Sequence, residues 1–184
     1  MIRIFDLIFS FLGLVILAPL GGILFLVGWL DTRSPIFRHE RVGRHQKAFN
    51  LVKLRTMRLG TASVGSHLAD ANAITRWGHF LRRTKLDELP QLWNVFKGEM
   101  SLVGPRPCLF NQTELIRERE LRSVFSVRPG ITGLAQVSRI DMSKPKFLAE
   151  TDALMIKELT VAAYFKYIFM TIAGKGSGDM INLK

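Results

Sequence analysis

Residues 7–30 form 24 consecutive positions without a charged side chain, and no other feature limits the fold of this chain so strongly. As one straight helix the segment would measure roughly 36 Å, enough to cross a hydrocarbon core of about 30 Å. A secretory leader fits poorly, because its apolar part spans about 7–15 residues and ends at small residues. Here the stretch runs into Trp29-Leu30-Asp31 instead, and Trp29 suits an anchor at headgroup level. Pro19 lies at the midpoint, where it removes a backbone donor and disfavours helical geometry at Ala18; Gly21 and Gly22 follow. Two readings stay open from these residues: a kinked spanning helix, and a helix that breaks and turns back.

Charge gives the orientation. Arg3, Asp6 and Asp31 are the charges of residues 1–31, so of 26 basic and 15 acidic residues, 25 and 13 fall beyond them, a net +12. Arg33, Arg38, Arg41, Arg44 and Lys47 crowd the flank after the apolar stretch, which places it on the cytosolic side, against anionic lipid. Nucleic acid is the other usual partner of so basic a chain, and the anchor argues against it. Cys108 is the single cysteine, which excludes an internal disulfide and a thiolate metal cluster. His39, His45, His67 and His79 show no metal-ligand spacing.

The remainder reads as one domain's worth of mixed elements. Apolar runs at 34–38 and 48–54 around the polar Val42-Gly43-Arg44-His45-Gln46 predict a β-hairpin. Residues 59–73 are small and polar and read as a mobile loop. A helix is expected over 74–83. A second is expected from Thr84 to Lys97-Gly98, with Thr84 and Asp87 in capping-box positions and Leu86, Leu89, Trp93 and Phe96 as its buried stripe. Pro90 is tolerated only near a first turn, so that helix starts later if Pro90 is to fit; either way Asp87 and Glu88 lie at or just before its N-terminus. Residues 112–122 and 146–157 read as charged helices. The aromatic segment 161–173 is too short to span and reads equally as core or as an interfacial helix. Gly174-Lys175-Gly176-Ser177-Gly178 lacks the strand and helix of a phosphate loop and reads as a flexible tail.

In so basic a chain the adjacent acids Asp87 and Glu88 repel one another unless a cation or a reaction uses them. On a helix they differ by about 100°, so one carboxylate can hold a divalent cation while its neighbour attacks or orients a phosphate. The bland alternative is a favourable helix start. Arg106 is fixed between Pro105 and Pro107, and Arg128 precedes Pro129-Gly130, a pair suited to a type II turn. With Lys53, Arg55, Arg82 and Arg83 they suggest a cationic cleft for a phosphate-rich ligand.

Four segments in this order resemble the bacterial sugar transferase family, the small monotopic phosphoglycosyl transferases: Lys53-Leu54-Arg55-Thr56-Met57, Leu86-Asp87-Glu88-Leu89-Pro90-Gln91-Leu92-Trp93-Asn94, Met100-Ser101-Leu102-Val103-Gly104-Pro105-Arg106-Pro107 and Arg128-Pro129-Gly130-Ile131-Thr132-Gly133-Leu134-Ala135-Gln136-Val137. The resemblance covers the chain to about residue 173. It implies transfer of a sugar phosphate from a UDP-sugar to a polyprenyl phosphate at the cytosolic face of a bacterial inner membrane, initiating surface glycan assembly alongside other glycan-assembly enzymes. It also implies Asp87 as nucleophile, Glu88 as Mg²⁺ ligand and a covalent phosphosugar intermediate. Substrate contacts are expected at Lys53, Arg55, Arg82, Pro105, Arg106, Pro107 and Arg128. The family's broken re-entrant helix is then expected over residues 1–31, with the break at Ala18-Pro19. Departures are Ala18 for the frequent serine, Glu99 for aspartate, and Leu154-Met155 where tyrosines are common after Asp152.

The expected architecture is therefore α+β. It comprises a re-entrant membrane helix over 1–31, a mostly helical cytosolic domain with a small hairpin or sheet and interfacial amphipathic helices over 32–173, and a tail over 174–184. Rival readings are a non-catalytic basic module that binds lipid or a partner, and a metal-assisted hydrolase of the same diphosphates.

Overall fold

A computed structural model describes residues 1–61 and 71–176. Residues 62–70 of the expected loop and 177–184 of the expected tail lie outside them. The fold is α+β, with two small two-stranded sheets set among helices.

The apolar stretch forms two helices, α1 (Ile2–Ile16) and α2 (Ala18–Thr32), bent by 62° at Leu17. The break falls one residue before the expected Ala18-Pro19. Pro19 occupies the first turn of α2, where its missing donor is harmless, while it cannot continue the hydrogen bonding of α1. Each helix has 15 residues and measures about 22 Å. No single helix among the described residues is long and apolar enough to cross a membrane; the bent pair together has the length and composition.

Polar contacts tie α1 to the rest of the chain. Asp6, buried, accepts at Oδ1 from Ser101 Oγ, Leu102 N and Tyr164 Oη, each at 2.9 Å. These three donors come from β3 (Ser101–Val103) and α8 (Val161–Ile172), so a carboxylate in an apolar helix is satisfied by the domain it packs on.

The predicted hairpin is present as β1 (Ile36–Val42) and β2 (Ala48–Leu54), antiparallel with Ile36 opposite Leu54 and Val42 opposite Ala48. Its loop places His45 and Gln46 at positive φ. Phe49 and Leu51 of β2 pack with Val95 and Met100, while Leu54, on the other face, packs with Leu24 of α2 and Leu81. Next, α3 (Arg76–Thr84) is capped by Thr75, whose Oγ1 accepts from Gly78 N and donates to Asp31 Oδ2, joining it to the end of α2.

The following helix departs from expectation. Thr84 belongs to the last turn of α3, with its hydroxyl donated to Phe80 O and Leu81 O, so no capping box forms with Asp87. Lys85 reverses the chain at φ 58°, Leu86–Glu88 make a 3₁₀ turn, and α4 (Gln91–Lys97) starts after Pro90. Its buried residues are Gln91, Asn94 and Val95, whereas Trp93 and Phe96 are 48% and 37% exposed. The periodicity marks an apolar face; Phe96 meets Phe11 of α1 there.

Beyond β3, the charged helices appear as α5 (Thr113–Leu121) and α7 (Pro145–Glu158), separated by β4 (Gly130–Thr132) and the short α6 (Leu134–Val137). β3 and β4 pair in parallel. A Cβ on Gly130 would collide with Gly104 N, so the Gly104-Pro105 and Pro129-Gly130 segments approach backbone to backbone only because both carry glycine. In α8 the core reading holds on one face, where Tyr164 is buried in a cluster with Val103 and Met155, while Phe169 and Ile172 are exposed.

Candidate active site

The site begins with how β2 lies against α4. Asn94, fully buried, accepts from Val52 N at 3.0 Å and donates to Asn50 O at 2.7 Å, fixing the helix along the strand. Strand alternation then sets Lys53 on the same face as the buried Phe49 and Leu51, at the end nearest the 3₁₀ turn. Lys53 Nζ reaches Glu88 Oε1 at 2.7 Å and Asp87 Oδ2 at 3.8 Å. Arg106 Nη2 approaches the same Glu88 oxygen at 3.4 Å.

Asp87 is 7% exposed. Burial acts to raise the Glu88 pKa, but Lys53, Arg106 and Lys85 outweigh it and hold the carboxyl at about 2. Glu88 is therefore charged at any physiological pH.

Asp87, Glu88 and Arg106 wall a cavity of about 120 Å³, shared with Arg82, Lys85, Gln136, Arg139 and Asp141, while Lys53 reaches it only through its contact with Glu88. Thr132 of β4 and Thr171 of α8, in mutual hydrogen-bond contact, also line it. Four cationic side chains and three carboxylates thus face one space, a net charge of +1, with guanidinium and ammonium groups that can pair with phosphate.

Of the residues expected at the site, Asp87, Glu88, Lys53, Arg82 and Arg106 come together. Arg82 is steadied by Nε, which donates to Thr56 Oγ1 at 2.9 Å. Pro105 and Pro107 are buried behind Arg106 and shape its loop: Pro105 O accepts from Gly130 N, and Pro107 O from Arg41 Nη1. Arg119 Nη1 supports the same loop by donating to Arg106 O at 2.9 Å.

Arg55 and Arg128 do not line the cavity. Arg55 donates Nε to Ser34 O at 2.8 Å and stacks its guanidinium 5.3 Å from the Phe37 ring centre. Arg128 donates Nε to Gly98 O at 2.8 Å, at the far end of α4. Reading the sequence for acids and proline-flanked arginines overlooks Lys85, Gln136, Arg139 and Asp141. Lys85, two residues before Asp87, and Gln136, inside the fourth resembling segment, had a local signal; Arg139 and Asp141 had none.

Asp152 lies apart from the cavity. It is wholly buried and takes both Nε and Nη2 of Arg119 on Oδ2, at 3.0 and 2.7 Å. Among the described residues no group of three or more His, Cys, Asp or Glu side chains is arranged to hold a metal ion.

A bent apolar helix pair docked on an α+β domain, with an acidic pair set in a cationic cavity, defines the class. The sequence pattern of the bacterial sugar transferases matches residues 1–175, and the chain belongs to that family. It is 41% identical over 160 residues to the UDP-galactose-lipid carrier transferase of Erwinia amylovora, covering 77% of this chain and 33% of that protein. Identity to the undecaprenyl-phosphate galactose phosphotransferase of Salmonella typhimurium is 39% over 153 residues, covering 74% of this chain and 32% of that protein. The exopolysaccharide production protein ExoY of Sinorhizobium fredii is 35% identical over 192 residues, covering 92% of this chain and 83% of its own length. The match to the first two spans about a third of their length.

Proposed function

We propose that this protein transfers a sugar phosphate from a UDP-sugar to a polyprenyl phosphate, in two steps through Asp87. A carboxylate oxygen of Asp87 attacks the phosphorus that bears the sugar. The bond from that phosphorus to the bridging oxygen breaks, and uridine monophosphate leaves with the electron pair. A phosphate oxygen of the polyprenyl phosphate then attacks the acyl-phosphate, which releases the Asp87 carboxylate and a polyprenyl diphosphate sugar.

The observation that carries this reading is the pairing of Asp87 with a Glu88 held ionised by Lys53 and Arg106, at the wall of a cationic cavity. Lys53 and Arg106 would offset the charge gathered by a diphosphate, and Arg82, Lys85 and Arg139 would extend that field along it. The names of the relatives support a lipid phosphate acceptor and a sugar donor.

Mg²⁺ fits the donor set. It is commonly bound through one or two carboxylates plus substrate phosphates, so the absence of a three-ligand cluster among the described residues is compatible with it. Glu88 would hold it, as a wall residue of the cavity whose Oε1 is approached by Lys53 and Arg106. When bound it would neutralise charge on the diphosphate.

The lipid acceptor accounts for α1 and α2. We read the bent pair as entering and leaving one leaflet of a bacterial inner membrane, with residues 32–173 on the cytosolic face, where such transfer would initiate a surface glycan. Trp93, Phe96, Phe169 and Ile172, exposed apolar side chains outside the pair, suit an interfacial position.

Mass spectrometry after incubation with a panel of UDP-sugars, without acceptor, tests the reading. A sugar phosphate adduct on the peptide containing Asp87, discharged by adding polyprenyl phosphate, is expected. Free sugar phosphate with no adduct would instead point to hydrolysis and overturn it.

A further inference from the structure

Arg128, expected among the phosphate contacts, faces a different surface, and two other arginines join it there. Arg3 donates Nη1 to Val95 O at 2.8 Å and Nη2 to Phe96 O at 3.1 Å, while Arg128 Nε donates to Gly98 O at 2.8 Å. Gly98 places them side by side: a Cβ there would stand 3.2 Å from Arg3 Nη2. Arg44 Nε donates to Ser126 O at 2.8 Å, two residues from Arg128.

Carbonyls at the end of α4 explain why Arg3 and Arg128 sit where they do. They do not explain Arg44, nor the remaining donors. Among the described residues, Arg44 and Arg128 are hydrogen-bonded through Nε alone and neither pairs with a carboxylate. Asp6, the acid that offsets part of this charge, has Oδ1 committed to Ser101, Leu102 and Tyr164. Burial, Arg3 and Arg44 all push the Arg128 pKa down, as expected where like charges are held together. Two guanidinium forks are thus fixed in place with donors to spare.

The surroundings say what kind of anion suits them. Arg3 lies in the first turn of α1 beside the exposed Ile4, and Phe11 of α1 meets Phe96 of α4 with ring centres 6.1 Å apart. Phe96 and Trp93, both exposed, stack with ring centres 6.0 Å apart and extend that apolar surface. A ligand carrying phosphate at one end and hydrocarbon at the other matches both parts.

We infer that Arg3, Arg44 and Arg128 form a second anion site, separate from the Asp87 cavity, that takes the phosphate of an anionic phospholipid. The inference rests on the reading that α1 and α2 enter a membrane. Such a site would fix the height and tilt of α4, and through it the 3₁₀ turn bearing Asp87, relative to the lipid surface.

Native mass spectrometry of the full chain in neutral detergent tests it, with phosphatidylglycerol, phosphatidylcholine or inorganic phosphate added. Wild type is expected to retain phosphatidylglycerol in preference to phosphatidylcholine, and inorganic phosphate should not displace it. Arg128→Gln should weaken retention about fivefold and Arg44→Glu by more, given the usual contribution of one basic side chain at a lipid surface. Arg44 lies in an exposed turn, so the second variant stays informative if the first fails to fold.

Equal retention of both lipids by wild type, or unchanged preference in Arg44→Glu, overturns the site while leaving the membrane reading intact. Displacement by inorganic phosphate overturns the lipid assignment. Retention of no lipid at all removes both the site and the membrane reading.

Discussion

Glu88 and Asp152 are both carboxylates gripped by basic side chains, and they differ in what lies on their far side. Glu88 meets Lys53 and Arg106 at the wall of the cavity, with the three side chains 16%, 18% and 34% exposed. Asp152 and Arg119 are sealed, at 0% and 2%. At the open cluster the cations prevail over burial and hold Glu88 at about 2, whereas at the sealed pair burial prevails over Arg119 and pushes the Asp152 carboxyl up. Charge that faces a cavity remains available to a ligand. A sealed pair gains little net stability, because desolvation opposes the Coulomb attraction. Its visible product is position: the third guanidinium nitrogen of Arg119 holds Arg106 O, and Arg106 reaches Glu88.

The two clusters should therefore break in different ways. Asp87→Asn removes the proposed nucleophile while leaving a side chain of the same shape. Sugar transfer should fall at least about 10⁴-fold with little change in thermal midpoint. A variant with full turnover would move the chemistry away from Asp87.

Asp152→Ala acts on the fold first. It strands a buried guanidinium, and urea unfolding should show a loss of about 3–5 kcal/mol. A double variant, Arg119→Met with Asp152→Leu, removes both charges and should recover most of that stability. Transfer should stay reduced, because Arg106 O has lost its donor. Recovery of both together would show that the sealed pair does not position Arg106.

Much of this contrast was legible in the sequence, but not all. The hairpin was, because apolar runs flank a polar loop, and α5 and α7 appear within two residues of expectation. The capping box at Thr84 failed because a threonine hydroxyl can serve the preceding turn as readily as the next, and here it bonds Phe80 O and Leu81 O. Periodicity found an apolar face through Trp93 and Phe96 without saying whether protein would cover it. Parallel pairing of β3 with β4 joins segments 29 residues apart, Ser101 to Gly130, which local pattern does not encode. For the same reason Arg55, Arg106 and Arg128 looked alike as cations, and only the fold sends them to three different places.

Lys53 shows how far the open cluster depends on charge. Lys53→Met keeps the stem against the Phe49 and Leu51 face but removes both ion pairs. Transfer should drop about 10²-fold, the usual effect of losing one preorganised donor at a reacting phosphate or carbonyl. Because the site opens to solvent, stability should change much less than in Asp152→Ala, so the ratio of the two effects measures the difference between the clusters.

The smallest effect belongs to His39, which lies on the hairpin with Lys53 but outside both clusters. Burial and then Arg41 lower its pKa to about 4, from an ordinary 6.5. A base with a lowered folded-state pKa is protonated first in the unfolded chain, so stability falls as pH drops from about 6.5 towards 4 and levels off below that. Glu88, held at about 2, adds its own decline only as pH falls below its ordinary 4.5, so the upper part of that window belongs to His39. Thermal midpoints measured across it should decline gently in wild type and become flatter in His39→Gln. If the decline in the upper part of that window persists unchanged in that variant, His39 is not its source, and the hairpin does not hold the imidazole neutral as its burial beside Arg41 implies.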